Sequence, residues 1–291
     1  MIIDLHTHST ASDGLLSPVD LLARAELNGV GKLALTDHDT VSGVKQLQQA
    51  LANSQLSSTV ELIAGVEITA TLEGRDYHIL GLWLDSESLA LGEFLASQAQ
   101  VREVRAEAID RRLEREGIVG ALAGARAIAN GAILSRPHFA RFLLENGYCD
   151  KEQQAYKRWL GAGKVCDVKC TWPSVEAAVE AIHSAGGLAV LAHPDKYGLT
   201  LTKMRATLEA FKALGGDGLE LISGRQQSAI TDTLLRLSHK FELACSMGSD
   251  FHSPEQSWSD LGCNTELPST AVPIWSLPAA QTTNYSGASS Q

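Results

Sequence analysis

Seven short apolar runs, separated along most of the chain by stretches of helical periodicity, constrain the fold of this sequence more than any other feature. Such alternation is typical of βα units, which place parallel strands in an open sheet or a closed barrel. We predict strands at 1–5, 32–36, 61–67, 77–83, 188–192, 218–222 and 243–248. We predict helices at 17–28, 42–53, 174–185, 203–214 and 225–240. The sequence therefore indicates an α/β fold.

Two segments depart from this alternation. Glu73-Gly74, between the third and fourth strands, favours a tight hairpin, so we expect a sheet that is not purely parallel. Residues 97–165 have helical patterns near 98–116, 121–130, 137–146 and 152–160, and no strand is evident there. We therefore predict that residues 1–96 and 166–278 form the βα domain and that 97–165 is an α-helical insertion after the fourth strand.

The last segment, 279–291, is rich in Ser, Thr, Gly and Gln and offers little apolar surface to bury, so we expect a disordered tail. No apolar run approaches the roughly 18 residues of a membrane-spanning helix, and the N-terminus enters a strand without a basic leader. We therefore expect a cytoplasmic protein with no membrane association.

Charge is distributed unevenly along the chain. The net charge of −10 at pH 7 argues against a protein that coats nucleic acid, so we expect no stable nucleic-acid complex. Residues 97–165 nevertheless hold 12 Lys and Arg against 8 Asp and Glu, a local balance of +4. A basic insertion in an acidic protein suits a phosphate-bearing substrate, although a solvated helix face explains any single arginine equally well.

Residues that can bind metal follow nearly every predicted strand. His6 and His8 stand one residue apart at the first strand end, a spacing that directs two imidazoles to one side. The full set is His6, His8, Asp13, His38, Glu67, His78, His193, Asp250 and His252. Because the carboxyl ends of parallel strands meet on one face of such folds, we expect these side chains to converge.

Each of these residues also has an ordinary structural explanation. A lone histidine is often a hydrogen-bonded core residue, Glu67 can cap a helix or form an ion pair, and Asp13 can form a turn with Gly14. Several carboxylates at one site are unfavourable without cations, however. Nine ligands also exceed what a single ion needs, so we infer two or three divalent ions.

Five motifs carry a resemblance to a known family. They are DLHTH at 4–8, TDH at 36–38, GVE at 65–67, AHP at 192–194 and GSDFH at 248–252. In this combination the chain resembles the polymerase and histidinol phosphatase (PHP) superfamily. With ASDG at 11–14 and SRPHFAR at 135–141, it is most similar to the bacterial 3′,5′-nucleotide bisphosphate phosphatases, some of which are 5′→3′ exoribonucleases of the RNase AM type.

The resemblance implies a distorted (β/α)₇ barrel whose helical insertion covers the active site, with three metal positions. It implies ligands His6, His8, Glu67 and Asp250 for the first ion, Glu67, His78 and His193 for the second, and Asp13, His38 and His252 for the third. His78 begins its predicted strand, so it reaches this end only if that strand is antiparallel to its neighbours. Oxygen and nitrogen ligands without thiolate suit Mn²⁺, our first expectation, as well as Fe²⁺ or Zn²⁺.

Two residues of the insertion are candidates for substrate contact. Arg136 can clamp a phosphate with its planar fork, and His138 can bind a phosphate or protonate a leaving oxygen. Ser135-Arg136-Pro137 is also an ordinary helix start, and the two explanations are compatible. Arg225, after the sixth strand, is a weaker candidate for a second phosphate contact, and a surface arginine is equally plausible there.

We therefore predict a metal-dependent phosphoesterase in which Glu67, His193, Asp250 and His138 act in catalysis and a metal-bridged hydroxide attacks phosphorus. The expected substrates are nucleoside 3′,5′-bisphosphates, which would lose the 3′-phosphate, and short 5′-phosphorylated RNA, which would be trimmed 5′→3′. One alternative is a histidinol-phosphate-type phosphatase. Another is a non-catalytic metal-binding module, which predicts decayed ligands, yet none of the nine is missing. The oligomeric state stays open.

Overall fold

A computed structural model of the protein describes residues 1–256, 259–263 and 266–282. Seven strands form one sheet in chain order: β1 Ile2–Asp4, β2 Val30–Leu35, β3 Glu61–Leu72, β4 Arg75–Leu82, β5 Leu188–Leu191, β6 Gly218–Ser223 and β7 Ala244–Gly248. The helices are α1 Pro18–Leu27, α2 Ser42–Ala52, α3 Leu89–Arg115, α4 Ala121–Ala129, α5 Arg136–Glu145, α6 Glu152–Ala155, α7 Val175–Ser184, α8 Leu201–Ala213, α9 Ser228–Phe241 and α10 Pro278–Thr282. In this part of the chain, no helix is both long enough and apolar enough to cross a bilayer.

The sheet closes into a barrel through its first and last strands. The backbone N–H of Leu5 donates to the carbonyl of Met247 at 3.0 Å, and the N–H of Asp250 donates to the carbonyl of His6 at 2.8 Å. These bonds tie the loop after β1 to β7 and to the loop that follows β7. The predicted distorted seven-stranded barrel is confirmed, and its open end at the carboxyl ends of the parallel strands is called the mouth below.

The fourth strand runs against both neighbours, as the hairpin pattern predicted. β4 pairs antiparallel with β3 and with β5, whereas all other neighbouring pairs in the sheet order are parallel. Glu73 and Gly74 both adopt positive φ, at 50° and 75°, which is the conformation of a two-residue type I′ hairpin turn. Thr69 faces His78 across the hairpin, so His78 lies at the mouth.

Strand alternation then decides which side chains point into the barrel. Ile63 and Leu80 belong to the apolar cluster inside the barrel, whereas Val66 and Ile79 pack outward against the helices. Side chains two residues apart share a face. Glu67 therefore points inward like Ile63, and His78 points inward like Leu80.

The end of the barrel opposite the mouth is closed by the C-terminal part of the chain. Ile274 is fully buried in the interior cluster, and Leu277 and Ala280 pack against it. The prediction of a disordered tail is wrong for residues 279–282, which lie in α10, because apolar side chains there cover the barrel floor. The remainder of the predicted tail, 283–291, lies outside the described residues.

The long helix α3 connects two apolar cores. It begins at Leu89, nine residues before the predicted start. Its first part packs in the main core through Leu91 and Leu95, and its second part packs through Ile109 and Leu113 in a separate cluster with α4 and α5. The separate cluster supports an inserted helical subdomain, although its boundaries stay a prediction because α3 crosses residue 97.

Two buried polar residues near the midpoint of α3 attach the helix to the barrel. Gln98 and Arg102 are 0% and 6% exposed, and both donate to the buried carboxylate of Asp39, at 2.9 and 2.7 Å. The N–H of Asp39 in turn donates to the carbonyl of Glu67. The helix is therefore anchored to the loop after β2 and to β3 by a charge pair inside the protein.

Replacing Gly248 by Ala tests the closure of the barrel. A Cβ at this position would collide with the backbone N and Cβ of His6 and would lie 2.9 Å from Oε1 of Glu220. We expect the free energy of unfolding to fall by about 1–3 kcal/mol, as for other overpacked sites. Gly92→Ala is the control, because a Cβ at this exposed position of α3 would meet no atom within 4 Å. Its free energy of unfolding should rise by up to about 1 kcal/mol. Equal urea midpoints for the two variants would contradict the close approach.

Replacing Arg102 by Met tests the buried ion pair. The change leaves the Asp39 carboxylate buried without its cation, so the free energy of unfolding should fall by about 3 kcal/mol or more. Arg111→Met is the matched control on the same helix, because Arg111 pairs with Glu107 in an exposed i,i+4 contact and its loss should cost about 0.5 kcal/mol or less. Urea denaturation of both variants measures the difference, and similar losses would show that the Asp39 contact is not special.

Candidate metal centre

All nine predicted side chains meet at the mouth of the barrel. Their nitrogen and oxygen atoms fall into four overlapping groups, each with all atoms within 4.8 Å of one another. The groups are His6, His8 and Asp250; His6, Glu67 and His193; His38, Glu67 and His78; and His8, Asp13, His38 and His252. The set is thus compact enough for several ions that share ligands.

Glu67 lies at the centre of this set and is 1% exposed. Its Oε1 is 2.8 Å from Nδ1 of His78 and 3.1 Å from Nε2 of His193. Three further ring nitrogens lie 3.3, 3.2 and 3.0 Å from Oε2, namely Nε2 of His6, Nε2 of His8 and Nδ1 of His38. One carboxylate therefore faces five imidazoles from four different segments.

Several of these atoms have no hydrogen-bond partner although they are buried. Oε2 of Glu67, Nε2 of His6, Nδ1 of His38 and both ring nitrogens of His8 are in this state. Buried polar atoms without a partner are costly, and they are rare in folded proteins. Atoms that converge at short distances without hydrogen-bond geometry are the arrangement expected for metal ligands, so the donor set fits divalent ions.

The electrostatics of the cluster also favour positive charge. Burial opposes the ionisation of Glu67, yet the nearby His38, His6 and His78 hold the pKa of Glu67 well below its usual value. Burial alone would lower the pKa of His8, but the carboxylates of Asp250 and Glu67 raise it to about 10. The carboxylates thus stabilise cations at this point of the barrel.

Glu220 supports the cluster and was missed by the sequence analysis. It lies on β6 and is fully buried; its Oε1 is 3.1 Å from Nδ1 of His6, and its Oε2 accepts the backbone N–H of His193 at 2.6 Å. A carboxylate inside an otherwise apolar strand was the available signal, because such a group needs buried partners.

Two further carboxylates hold the loops that carry the ligands. Asp37 accepts the backbone N–H of Ser9 at 2.8 Å and the hydroxyl of Ser12 at 2.6 Å. Asp4 accepts the backbone N–H groups of Ser249 and Gly262 at 2.8 and 2.9 Å. Asp4 and Asp37, which belong to the DLHTH and TDH motifs, therefore hold the ligand-bearing loops in place.

Three residues at the mouth have a strained backbone. Asp39, His193 and Asp250 have φ values of 50°, 29° and 55°, in the region that non-glycine residues seldom adopt. Lys196, exposed in the short turn after His193, donates to Oδ2 of Asp250 at 2.6 Å. This ammonium is a further cation at the mouth that the sequence analysis did not single out.

The predicted substrate residues lie in different environments. Arg136 is partly buried and opens α5, whereas Arg225 is exposed after β6 and its charge acts on Cys263.

The ring of His138 caps α5, because its Nδ1 accepts the N–H of Ser135 at 3.1 Å. Burial lowers the pKa of His138 to about 4, so the ring is neutral at pH 7. Proton donation by His138 is disfavoured in this environment, and the roles of all three residues stay predictions.

Helix α5 and the segment before it are docked onto the loop that carries Asp13. Nη2 of Arg141 donates to the carbonyl of Asp13 at 2.6 Å, and the N–H of Ile133 donates to the carbonyl of Ala11. The helical insertion therefore contacts the ligand loop directly, and a cavity of about 450 Å³ lies along this contact, lined in part by Ser12 and His138.

Comparisons with known proteins agree with this architecture. A PHP domain matches residues 4–163. A 5′-3′ exoribonuclease of Haemophilus influenzae is 43% identical over 272 residues, or 94% of this chain and 97% of that protein. A 3′,5′-nucleoside bisphosphate phosphatase of Chromobacterium violaceum is 36% identical over 274 residues, or 94% and 95% of the two chains. The solved structure of an amidohydrolase from Chromobacterium violaceum, with bound sulfate and no metal, has a TM-score of 0.86 at 35% identity and covers 95% of both chains. The chain belongs to the PHP domain family.

Proposed function

We propose that the protein is a divalent-metal-dependent phosphoesterase that removes the 3′-phosphate from nucleoside 3′,5′-bisphosphates and trims short RNA from its 5′ end. The observation that carries the proposal is the convergence of five imidazoles on the Glu67 carboxylate without hydrogen-bond geometry at Oε2. The two relatives supply the substrate classes, since one is a 5′-3′ exoribonuclease and the other a 3′,5′-nucleoside bisphosphate phosphatase. Both substrates present a phosphate ester on the 3′ side of a nucleotide.

We infer two or three ions, with Mn²⁺ as the first expectation and Fe²⁺ or Zn²⁺ as alternatives. When bound, such ions neutralise phosphoryl charge and lower the pKa of the attacking water. The residues that would hold them are His6, His8, Asp13, His38, Glu67, His78, His193, Asp250 and His252.

The protein's own carboxylates orient these ligands. With Nδ1–H of His6 donating to Glu220, the lone pair of Nε2 points toward Glu67. The same Glu220 holds the backbone of His193, whose Nε2 faces the other oxygen of Glu67. Glu220 thereby fixes ligands from two strands at once, and it would set the ring tautomer before any ion arrives.

Cations at the rim suit a phosphorylated substrate. In hydrolysis the oxygen of water bonds to phosphorus, the ester P–O bond breaks, and the leaving oxygen takes a proton. Arg136 would clamp a phosphate of the substrate, and Lys196 adds positive charge where the phosphoryl group enters. We assign His138 to positioning α5 rather than to proton transfer, because its ring is neutral and caps the helix.

Two other functions fit less well. A histidinol-phosphate-type phosphatase would share the metal centre, but a cationic amino alcohol is poorly matched to the basic insertion. A non-catalytic metal-binding module would not need all nine ligand atoms in place. Because the proposed substrates are cytoplasmic molecules, we also propose that the protein is located in the cytoplasm.

Metal removal tests the proposal directly. After dialysis against a chelator, the protein should hydrolyse neither adenosine 3′,5′-bisphosphate nor a short 5′-phosphorylated RNA, and Mn²⁺ should restore both activities. Elemental analysis should find two or three ions per chain. Full activity in chelator would refute the metal centre, whereas preference for histidinol phosphate over both nucleotide substrates would refute the substrate class.

Arg136→Ala tests the phosphate clamp. Loss of a charge-assisted contact of about 1.5–3 kcal/mol should raise KM for adenosine 3′,5′-bisphosphate while the metal content stays at the wild-type value. The control is Arg126→Ala, because Arg126 is an exposed arginine of the same insertion that pairs with Glu103 on the surface. Loss of metal in the Arg136 variant, or equal KM values for both variants, would contradict the clamp.

A further inference from the structure

The side chain of Tyr197 takes the place of a missing strand partner at the mouth. The carbonyl of His78, on β4, accepts the N–H of Ala192 at 3.0 Å, so both backbone polar groups of His78 point toward the β5 side. Strand β5 ends at Leu191, however, and the chain enters a short turn at His193, whose φ is 29°. The N–H of His78 donates instead to the hydroxyl oxygen of Tyr197 at 2.8 Å.

The orientation of His78 depends strongly on this hydrogen bond. Its side chain is 31% exposed, more than that of any other histidine of the cluster, and the next is His252 at 26%. Packing therefore fixes its ring less than it fixes the others, and hydrogen bonds have to supply the remaining restraint. Because Nδ1 of His78 lies only 2.8 Å from Oε1 of Glu67, a small backbone shift would change this contact.

Tyr197 also packs against a second ligand. Its ring centroid is 5.4 Å from that of His193, with the planes tilted by 56°. Nε2 of His193 lies 3.1 Å from Oε1 of Glu67, the same oxygen that His78 faces, and the two histidine rings are 5.2 Å apart. One tyrosine therefore contacts both histidines that approach this oxygen.

Tyr197 is itself held from outside the barrel. The ring of Tyr77 meets it edge to face at 4.8 Å, and the Tyr77 hydroxyl is hydrogen-bonded to the hydroxyl of Thr207, on α8, at 3.0 Å. Nη1 of Arg75 donates to the carbonyl of Tyr197 at 3.1 Å. The hydroxyl of Tyr197 is thus fixed in position by contacts that do not involve the metal ligands.

We propose that Tyr197 is a positioning residue that holds His78 and His193 toward Oε1 of Glu67 and thereby selectively strengthens binding of the ion that these two histidines hold. The assignment rests on the metal centre of the proposed function. In the described part of the chain, the hydrogen bonds and ring contacts of Tyr197 reach these two of the nine ligands and none of the other seven. Partners of this kind commonly change metal affinity by about 10- to 100-fold.

Tyr197→Phe tests the assignment, because it removes the acceptor and keeps the ring against His193. In a calorimetric titration of the metal-free protein with Mn²⁺, one ion should bind about 10- to 100-fold more weakly than in wild type, and the others should keep their affinity. Tyr77→Phe is the matched control, since it removes the neighbouring hydroxyl that contacts Thr207, and it should keep all affinities. Wild-type binding by the Tyr197 variant, or a common weakening of every ion, would overturn the proposal.

A double-mutant cycle with His78→Ala identifies the affected ion. The hydroxyl of Tyr197 acts through His78, so Tyr197→Phe should cause no further loss of Mn²⁺ affinity once the imidazole is gone. A further loss of about 10-fold in the His78→Ala background, as large as in the wild-type background, would show independent action and refute the positioning role.

The dependence of turnover on Mn²⁺ separates positioning from a general distortion. With adenosine 3′,5′-bisphosphate, kcat of Tyr197→Phe should be low at limiting Mn²⁺ and should return to the wild-type value at saturating Mn²⁺, with KM unchanged. A loss that excess Mn²⁺ does not restore would contradict the proposal. A wild type that binds the ions but hydrolyses neither proposed substrate would refute the proposed function and leave the role of Tyr197 standing, because the titration requires no turnover.

Arg75→Met replaces Tyr197→Phe if the latter has a lowered urea midpoint. Arg75 is exposed and supports the turn through the carbonyl of Tyr197, so its loss should weaken the same single ion by about 2- to 10-fold. Unchanged Mn²⁺ affinity in this variant would then count against the assignment.

Discussion

The burial of one carboxylate beneath the mouth imposes a common requirement on the whole barrel. An ionised Glu67 at 1% exposure is tolerable only if positive charge surrounds it, and five histidines from four segments supply ligand atoms there. Each of those segments must end at the same height. The closure between β1 and β7, the antiparallel β4 and the buried Glu220 all serve to bring them there.

Much of this arrangement could be predicted because its signals are local. Short apolar runs predicted the strands, and Glu73-Gly74 predicted the hairpin. The residues that follow the strands formed a recognisable set of metal ligands. Convergence of the nine side chains needed only the rule that parallel strands end on one face. His78 needed one further step, the reversal of β4, and the turn residues supplied it.

The features that escaped prediction depend on contacts between distant segments. Glu220 is an isolated acidic residue in β6, and its two partners lie 214 and 27 residues away in the chain. Gln98 and Arg102 of α3 read as ordinary exposed polar residues in the sequence, because their buried partner Asp39 lies about 60 residues earlier. The last described helix covers the barrel floor with few apolar residues, too few to form a recognisable pattern.

The continuity of α3 has a mechanical consequence for the insertion. The unbroken 27-residue helix α3 leaves the barrel and is attached near its midpoint by the Arg102–Asp39 ion pair. Its second half then packs in the separate apolar cluster of the insertion. The insertion is therefore held by a rigid helix and by its contact with the loop of Asp13, rather than by a flexible hinge. Any movement of Arg136 relative to the metal donors has to bend this helix or rotate the insertion about it, and a graft of the insertion onto another barrel would have to carry the Arg102–Asp39 pair with it.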